Sequence, residues 1–184
     1  PLEIVQTAIS NTLAGKKAPN ATTPPTSAIR INYTSDKINP NIDKWLADDQ
    51  FQVWPLGEDK IAIHRNGITT VTPYSIRLGL SKLSFKVDTG KDVITVPYYF
   101  DSVWTYLGDL HLISPDTHDE PIELVVENNE LVYRIKAESK QLMFAILPSK
   151  VCMEVVVSAQ TRDIKDSRTC SPWDTVVDLL SLTI

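Results

Sequence analysis

Residues 60–73 read "KIAIHRNGITTVTP", two runs of β-branched and apolar residues on either side of Asn66-Gly67. Asn-Gly between alternating runs is the strongest short hairpin signal, because a two-residue type I′ turn needs positive φ at both central positions. The pair therefore predicts two adjacent antiparallel strands, and the neighbouring sequence extends the pattern in both directions. Downstream, "LSFKVDTGKDVITVPYYF" places Leu83, Phe85 and Val87 on one face, turns at Asp88–Lys91 and resumes from Val93 to Phe100. Pro97 marks an edge or a bulge, since proline cannot donate to a ladder. "IELVVENNELVYRIK" turns at Glu127–Glu130. "KQLMFAILPSKVCMEVVVSAQT" reads as two further strands around Pro148-Ser149. Val151, Met153, Val155, Val157 and Ala159 in that stretch form a period-two apolar stripe.

The count comes to eight or nine short strands with short turns and no long helix between them. Short turns imply antiparallel pairing, because parallel neighbours need long crossovers. The expected fold is all-β, an antiparallel sandwich or barrel over residues 46–170. Within it "SVWTYLGDLHLI" reads as one more strand, with Trp104, Tyr106, Leu110 and Leu112 facing inward. Residues 171–184 start with Ser171 at an N-cap, Pro172 at the first helical position and Asp174 two residues on, which predicts a short C-terminal helix followed by a tail.

Residues 1–45 differ in character. Val5, Ile9 and Leu13 are spaced for a short amphipathic helix ending at Gly15. Pro19, Pro24 and Pro25 then favour an extended arm with no core of its own. Such an arm is ordered only where it packs on something, since fixing each residue costs roughly 1–2 kcal/mol of backbone entropy.

The 184 residues are 42% hydrophobic and 22% charged, which is ordinary globular composition. The net charge of −5 argues against a protein whose main work is neutralising nucleic-acid phosphates. No apolar run approaches the ~18 residues of a membrane-spanning helix. The first ten residues lack the basic and apolar regions of a signal peptide, and Pro1 is read as following Met removal or precursor cleavage. Two cysteines do not make a disulfide framework, so Cys152 reads as a small core residue and Cys170 as a turn residue, with one bridge between them as the lesser alternative. The sequons at Asn20 and Asn32 matter only in a secreted protein.

Chemistry-bearing residues concentrate in "LHLISPDTHDEP", residues 110–121, with His111, Asp116, His118, Asp119 and Glu120. Structural zinc favours ligand pairs two to four residues apart, whereas His111 and His118 are seven apart, and a calcium loop would need a glycine that is absent. The reading is a strand end running into a solvated loop, with no metal set. "FKVDTGKDVI" resembles the Asp-Thr-Gly signature of aspartic proteases. Lys91 stands where that family has a small residue, and Asp88, Thr89 and Gly90 read instead as a hairpin turn. The six glycines form no phosphate loop and no nucleophile elbow. Trp45, Trp54, Trp104 and Trp173 read as core or interface residues rather than a sugar platform. The expectation is no catalytic residue, no metal site and no cofactor.

A compact block with extended ends and no catalytic set is what an assembling subunit needs. In keeping with that, "YFDSVWTYLGDLHLIS", residues 99–114, resembles an early strand of the small jelly-roll coat proteins of non-enveloped picorna-like viruses, notably the plant viruses with three small coat proteins. The resemblance implies a jelly roll, other capsid subunits as partners, an icosahedral virion assembled in the host cytoplasm, and an enclosed RNA genome. Lys16, Lys17 and Arg30 supply little basic charge for RNA. The alternative is a carbohydrate- or receptor-binding β-sandwich, and after it an enzyme with an unrecognised site.

Overall fold

A computed structural model describes residues 22, 24–25, 29–32, 50–57, 60–78, 85–115, 120–143 and 147–183. The Asn66-Gly67 hairpin forms as read. It joins β3 (Lys60–Arg65) to β4 (Ile68–Thr72), with φ of 51° at Asn66 and 80° at Gly67. β2 (Gln50–Gly57) pairs on the other side of β3, and β1 (Ile29–Asn32) pairs on β2. The second asparagine turn, Asn128-Asn129, also has both residues at positive φ and joins β8 (Ile122–Glu127) to β9 (Glu130–Met143). β9 runs back antiparallel to β10 (Leu147–Ser158), and β10 to β11 (Ile164–Thr169).

These strands form one sheet in the order β1-β2-β3-β4-β8-β9-β10-β11, with β12 (Ser181–Thr183) pairing on the far half of β9. Two antiparallel meanders thus meet at the parallel pair β4–β8, where Thr70 lies opposite Ile122. The crossover between them holds a second, three-stranded sheet, β5 (Ser75–Leu78), β6 (Phe85–Asp88) and β7 (Val93–Val96), followed by helix α1 (Phe100–Asp109). The described residues are mostly β, as expected, with two short helices among them. The purely antiparallel expectation is corrected at β4–β8, because the crossover is long enough to permit a parallel return.

The core lies between the two sheets and α1. Its residues come from alternate positions: Ile61 and Ile63, Leu131, Tyr133 and Ile135, Val155 and Val157, Phe85 and Val87, then Phe100, Val103, Trp104 and Leu107. The stripe read from Val151 to Ala159 faces inward, with Met153 only partly buried. Toward the β2–β4 end the opposite face of the large sheet is also covered. Trp54 and Ala62 point away from the core side, yet are 1% and 0% exposed. On that same face the Thr69 hydroxyl donates to the Thr22 carbonyl at 3.2 Å.

Four expectations need correction. Residues 100–109 are a helix, not a strand. Phe100, Val103, Trp104 and Leu107 follow helical spacing, while the alternation of Trp104, Tyr106, Leu110 and Leu112 is incidental and leaves Leu110 exposed. Residues 130–143 are one strand, not the ends of two. Its partner begins at Leu147, so Pro148 lies within β10, opposite Leu142, rather than at the turn. The proposed arm contributes β1 to the sheet through residues 29–32, while its helical reading at residues 5–13 lies outside the described residues. Cys152 and Cys170 are not free but form a disulfide. Their separation of 18 residues is closed because the β10–β11 hairpin folds the chain back.

The helix read from Ser171-Pro172 forms as α2 (Pro172–Leu179). The Ser171 hydroxyl accepts from the Asp174 amide at 3.2 Å. No helix among the described residues is long and apolar enough to cross a membrane.

Candidate functional site

The residues singled out for chemistry scatter. The helix that replaces the expected strand ends at Asp109 with Leu110 as its C-cap, and His111 follows with φ of 57°. The His111 amide donates to the Gly108 carbonyl at 2.9 Å and the Leu112 amide to the Leu107 carbonyl at 3.1 Å. This is a Schellman closure, with histidine at the left-handed position usually held by glycine. His111 and Glu120 are exposed, while Asp116, His118 and Asp119 lie outside the described residues. Asp88 accepts from the Gly90 amide at 3.0 Å, and Gly90 has φ of 82°. That is a turn-forming aspartate. Trp104 is core, Trp54 is buried on the opposite face of the large sheet, Trp173 is 73% exposed, and Trp45 lies outside the described residues. No group of three or more metal-ligating side chains occurs among the described residues.

What the fold does bring together lies beside α1. An open groove of about 730 Å³ is lined by Asn66, Asp101, Trp104, Tyr106, Asp109 and Arg162, among others. Three segments distant in sequence build it. The β3–β4 turn supplies Asn66, whose amide donates to Asp101 at 2.8 Å, while Arg65 pairs with the same carboxylate at 3.4 Å. Arg65 also lies 4.5 Å over the ring of Tyr99, which stacks on Phe85 at 5.1 Å. The β10–β11 turn supplies Arg162, whose backbone takes φ of 66°.

That guanidinium is held between the rings of Tyr98 and Tyr106, at 4.7 and 4.8 Å, and donates to the Ser102 carbonyl at 2.8 Å. Its Nε is buried without a hydrogen-bond partner. Tyr98 is fixed in turn, since its carbonyl accepts from the buried Tyr133 hydroxyl at 2.9 Å. Burial pushes the Tyr133 phenol well above its ordinary range, with the charge of Asp101 adding to the effect, so Tyr133 remains a neutral donor.

A left-handed non-glycine residue is uncommon, and holding one costs on the order of 1–2 kcal/mol. Here two cation–π contacts offset it. Arg162 is therefore a brace between the β10–β11 turn and α1, with a polar rim around it. Among the described residues the groove holds no nucleophile bonded to a base. Its Ser102 hydroxyl donates to the Tyr99 carbonyl instead, at 2.7 Å. The arrangement brings polar groups of Asn66, Asp101, Asp109 and Arg162 to one groove. Sequence reading missed it because none of its parts forms a motif. The one available signal was arginine in a turn next to Asp163.

Two further surfaces bear on function. On the solvent face of the large sheet Arg134 pairs with Glu127, with Glu123 at 3.4 Å and with Glu154 at 3.5 Å, and Glu154 pairs with Arg168 at 3.0 Å. Lys150 and Lys165 are matched to Glu138 and Glu130. Each of these four cations is thus paired with at least one carboxylate. On α2, by contrast, only Val177 is buried, and Trp173, Val176, Leu179 and Leu180 are exposed along one side of the helix.

No protein-family model, curated protein or solved structure matches the chain.

Proposed function

We propose that this chain is a structural subunit that packs against other subunits, in the form first read from the sequence: a coat protein of an icosahedral virion enclosing RNA. The observation that carries it is the apolar side of α2. Trp173 and Leu179 are 73% and 79% exposed, beside Val176 and Leu180. Contiguous large apolar groups on a small domain mark an interaction surface.

The likeness to a coat-protein strand no longer supports this reading, because residues 100–109 are helical. The jelly-roll form of the fold draws support from the layering of two sheets but not from strand order, which runs as meanders rather than a Greek key. The paired charge ladder of the outer sheet face supports a subunit that does little of the RNA neutralisation itself.

The second reading, a receptor- or carbohydrate-binding module, is favoured by two observations. The groove beside α1 converges several polar groups on one spot. The disulfide is of a kind that persists in oxidising surroundings and is rare in the cytosol.

The test is co-expression with candidate partner subunits, followed by sedimentation and negative-stain imaging. The first reading expects particles that are lost when Trp173→Asp and Leu179→Asp are combined, with an unchanged circular-dichroism spectrum of the isolated chain. A chain that stays monomeric with every partner and is retained on a glycan or receptor surface, with retention lost in Arg162→Ala, would replace the first reading by the second.

A further inference from the structure

We propose that the outer edge of β7 is an interface for a second copy of this chain, joined strand to strand about a two-fold axis at Ile94.

β7 is the last strand of the three-stranded sheet, and among the described strands it pairs only with β6. The hairpin turn fixes which of its backbone groups are occupied. The Thr89 amide donates to the Asp92 carbonyl at 3.0 Å, so these two residues form a bonded pair. Bonded pairs alternate along an antiparallel ladder, which places Val87 with Ile94 and Phe85 with Val96 in the same class. The N–H and C=O of Val93 and Thr95 therefore point away from β6. Both residues are exposed, Val93 at 53%. The open edge is bounded on either side. The Asp92 amide turns back to the Thr89 hydroxyl at 3.2 Å, and Pro97 has no N–H to offer.

The outer edge of the large sheet at β11 is built differently. There the Cys170 amide donates to the Cys152 carbonyl at 2.9 Å, so by the same alternation the Ser167 amide points outward. The neighbouring Asp166 carboxylate accepts it at 2.9 Å. Lys165, Asp166 and Arg168 add charge along that strand. Charged side chains and occupied amides blunt an edge against pairing. β7 reads Val-Ile-Thr-Val, uncharged and β-branched throughout, which is the composition of a pairing strand. Its four residues keep the contact short, so the expected dimer is weak and reversible.

One register suits a second copy. Two antiparallel β7 strands centred on Ile94 set each Val93 opposite the Thr95 of the other copy. Each of those pairs exchanges both of its N–H···O=C bonds, and every outward group of the two strands is satisfied. Centring on Thr95 would set Val93 against Pro97, which lacks the donor. Centring on Val93 would set Thr95 against Lys91 in the turn. In the Ile94 register the two isoleucines meet at the axis as a closely spaced non-bonded pair, on the side where Ile94 is only partly buried against the core. On the other side Val93 packs beside Thr95, a β-branched cross-strand pair. Asp92 falls opposite Val96, so no like charges are opposed. Such a pair needs no shell, and a shell needs no such pair, so this interface and the coat-protein reading can fail separately.

The experiment is sedimentation velocity on the full chain over a range of concentrations, with Thr95→Pro and Val93→Lys alongside. The parent is expected to pass from monomer to dimer as concentration rises. Thr95→Pro removes an outward N–H without touching the β6 ladder. Two of the four bonds across the axis are lost, and the dissociation constant should rise about thirtyfold. Val93→Lys alters only an exposed side chain and should also weaken the dimer, with an unchanged circular-dichroism spectrum, which keeps the test valid if proline disturbs the strand. Register is read by cross-linking. Cys152 and Cys170 are bonded to each other, so a substituted cysteine is the one free thiol. Under mild oxidation Ile94→Cys should give a covalent dimer, and Val93→Cys, whose counterpart lies two residues out of register, should not. A parent chain that stays monomeric at every concentration would overturn the proposal and leave the edge to a different protein. So would a dimer that survives both Thr95→Pro and Val93→Lys unchanged, and so would equal cross-linking of Val93→Cys and Ile94→Cys.

Discussion

His111 was singled out in the sequence for its imidazole, and the structure uses its backbone. It sits at the left-handed C′ position of α1, with φ of 57°. Glycine meets that requirement without a Cβ clash, so His111→Gly is expected to raise stability by roughly 0.5–1 kcal/mol, while His111→Ala is not. Urea unfolding of the two variants checks this, and an alanine variant as stable as the glycine one would refute the backbone role. His64 is a different case. Its Nδ1 lies 2.9 Å from the Thr69 hydroxyl, and burial lowers its pKa below the ordinary 6.5. The unfolded chain therefore takes up the proton first. The stabilising contribution of neutral His64 is complete above about pH 6.5 and is lost as pH falls toward the lower folded value. The drop in melting temperature between about pH 7.5 and about pH 5.5 should shrink in His64→Gln, and an identical drop in both proteins would assign it to other groups.

Among elements, α2 has the simplest energetics. The Ser171 hydroxyl satisfies the Asp174 amide and also donates to the Asp174 carboxylate at 2.6 Å. Ser171→Ala removes the cap and is expected to cost about 1 kcal/mol, read locally as faster amide exchange in residues 172–179. An effect confined to the core strands would contradict the assignment. The central strands behave differently, because their alternation is enforced by burial on one side. Val155 is fully buried opposite Ile135. Val155→Asp places an unpaired carboxylate there and is expected to cost more than ~3 kcal/mol, measured by chemical denaturation. A folded variant of parent stability would mean the strand faces had been misread.

For the whole molecule, the reading of residues 1–45 as a detachable arm meets a specific test. Residues 29–32 pair with residues 50–53 of the same chain, and Thr22 accepts a bond from Thr69. Among the described residues, Val53 of β2 belongs to the buried core cluster. Deleting residues 1–32 should therefore leave a cooperative fold but lower its stability by roughly 2–4 kcal/mol, since several ladder bonds each contribute about 1 kcal/mol. An unchanged unfolding midpoint would restore the detached arm. Complete loss of the fold would make the segment part of the core. Such a truncation also turns β2 into an edge, and increased self-association is the expected side effect.

What could be read from the residues alone was local and covalent in origin. Asn66-Gly67, Asn128-Asn129 and Asp88 to Gly90 announced turns, because positive φ and side-chain-to-backbone bonding are properties of those residues wherever they stand. The Val151–Ala159 stripe and the Ser171-Pro172 helix start were legible for the same reason. Three features were decided only by tertiary structure. The choice between helix and strand for residues 100–109 turned on which apolar residues find a surface to cover, and the space between the two sheets accepts Phe100, Val103, Trp104 and Leu107 together. The disulfide formed because the β10–β11 hairpin returns Cys170 to within 5.3 Å of Cys152 between Cα atoms. The groove braced by Arg162 exists because the parallel β4–β8 junction sets one hairpin turn and α1 near another, joining Asn66, Asp101 and Arg162 across segments that share no pattern. Periodicity reports which side of an element is apolar, but the partner that covers that side, and the site built where partners meet, depend on the packing of the whole chain.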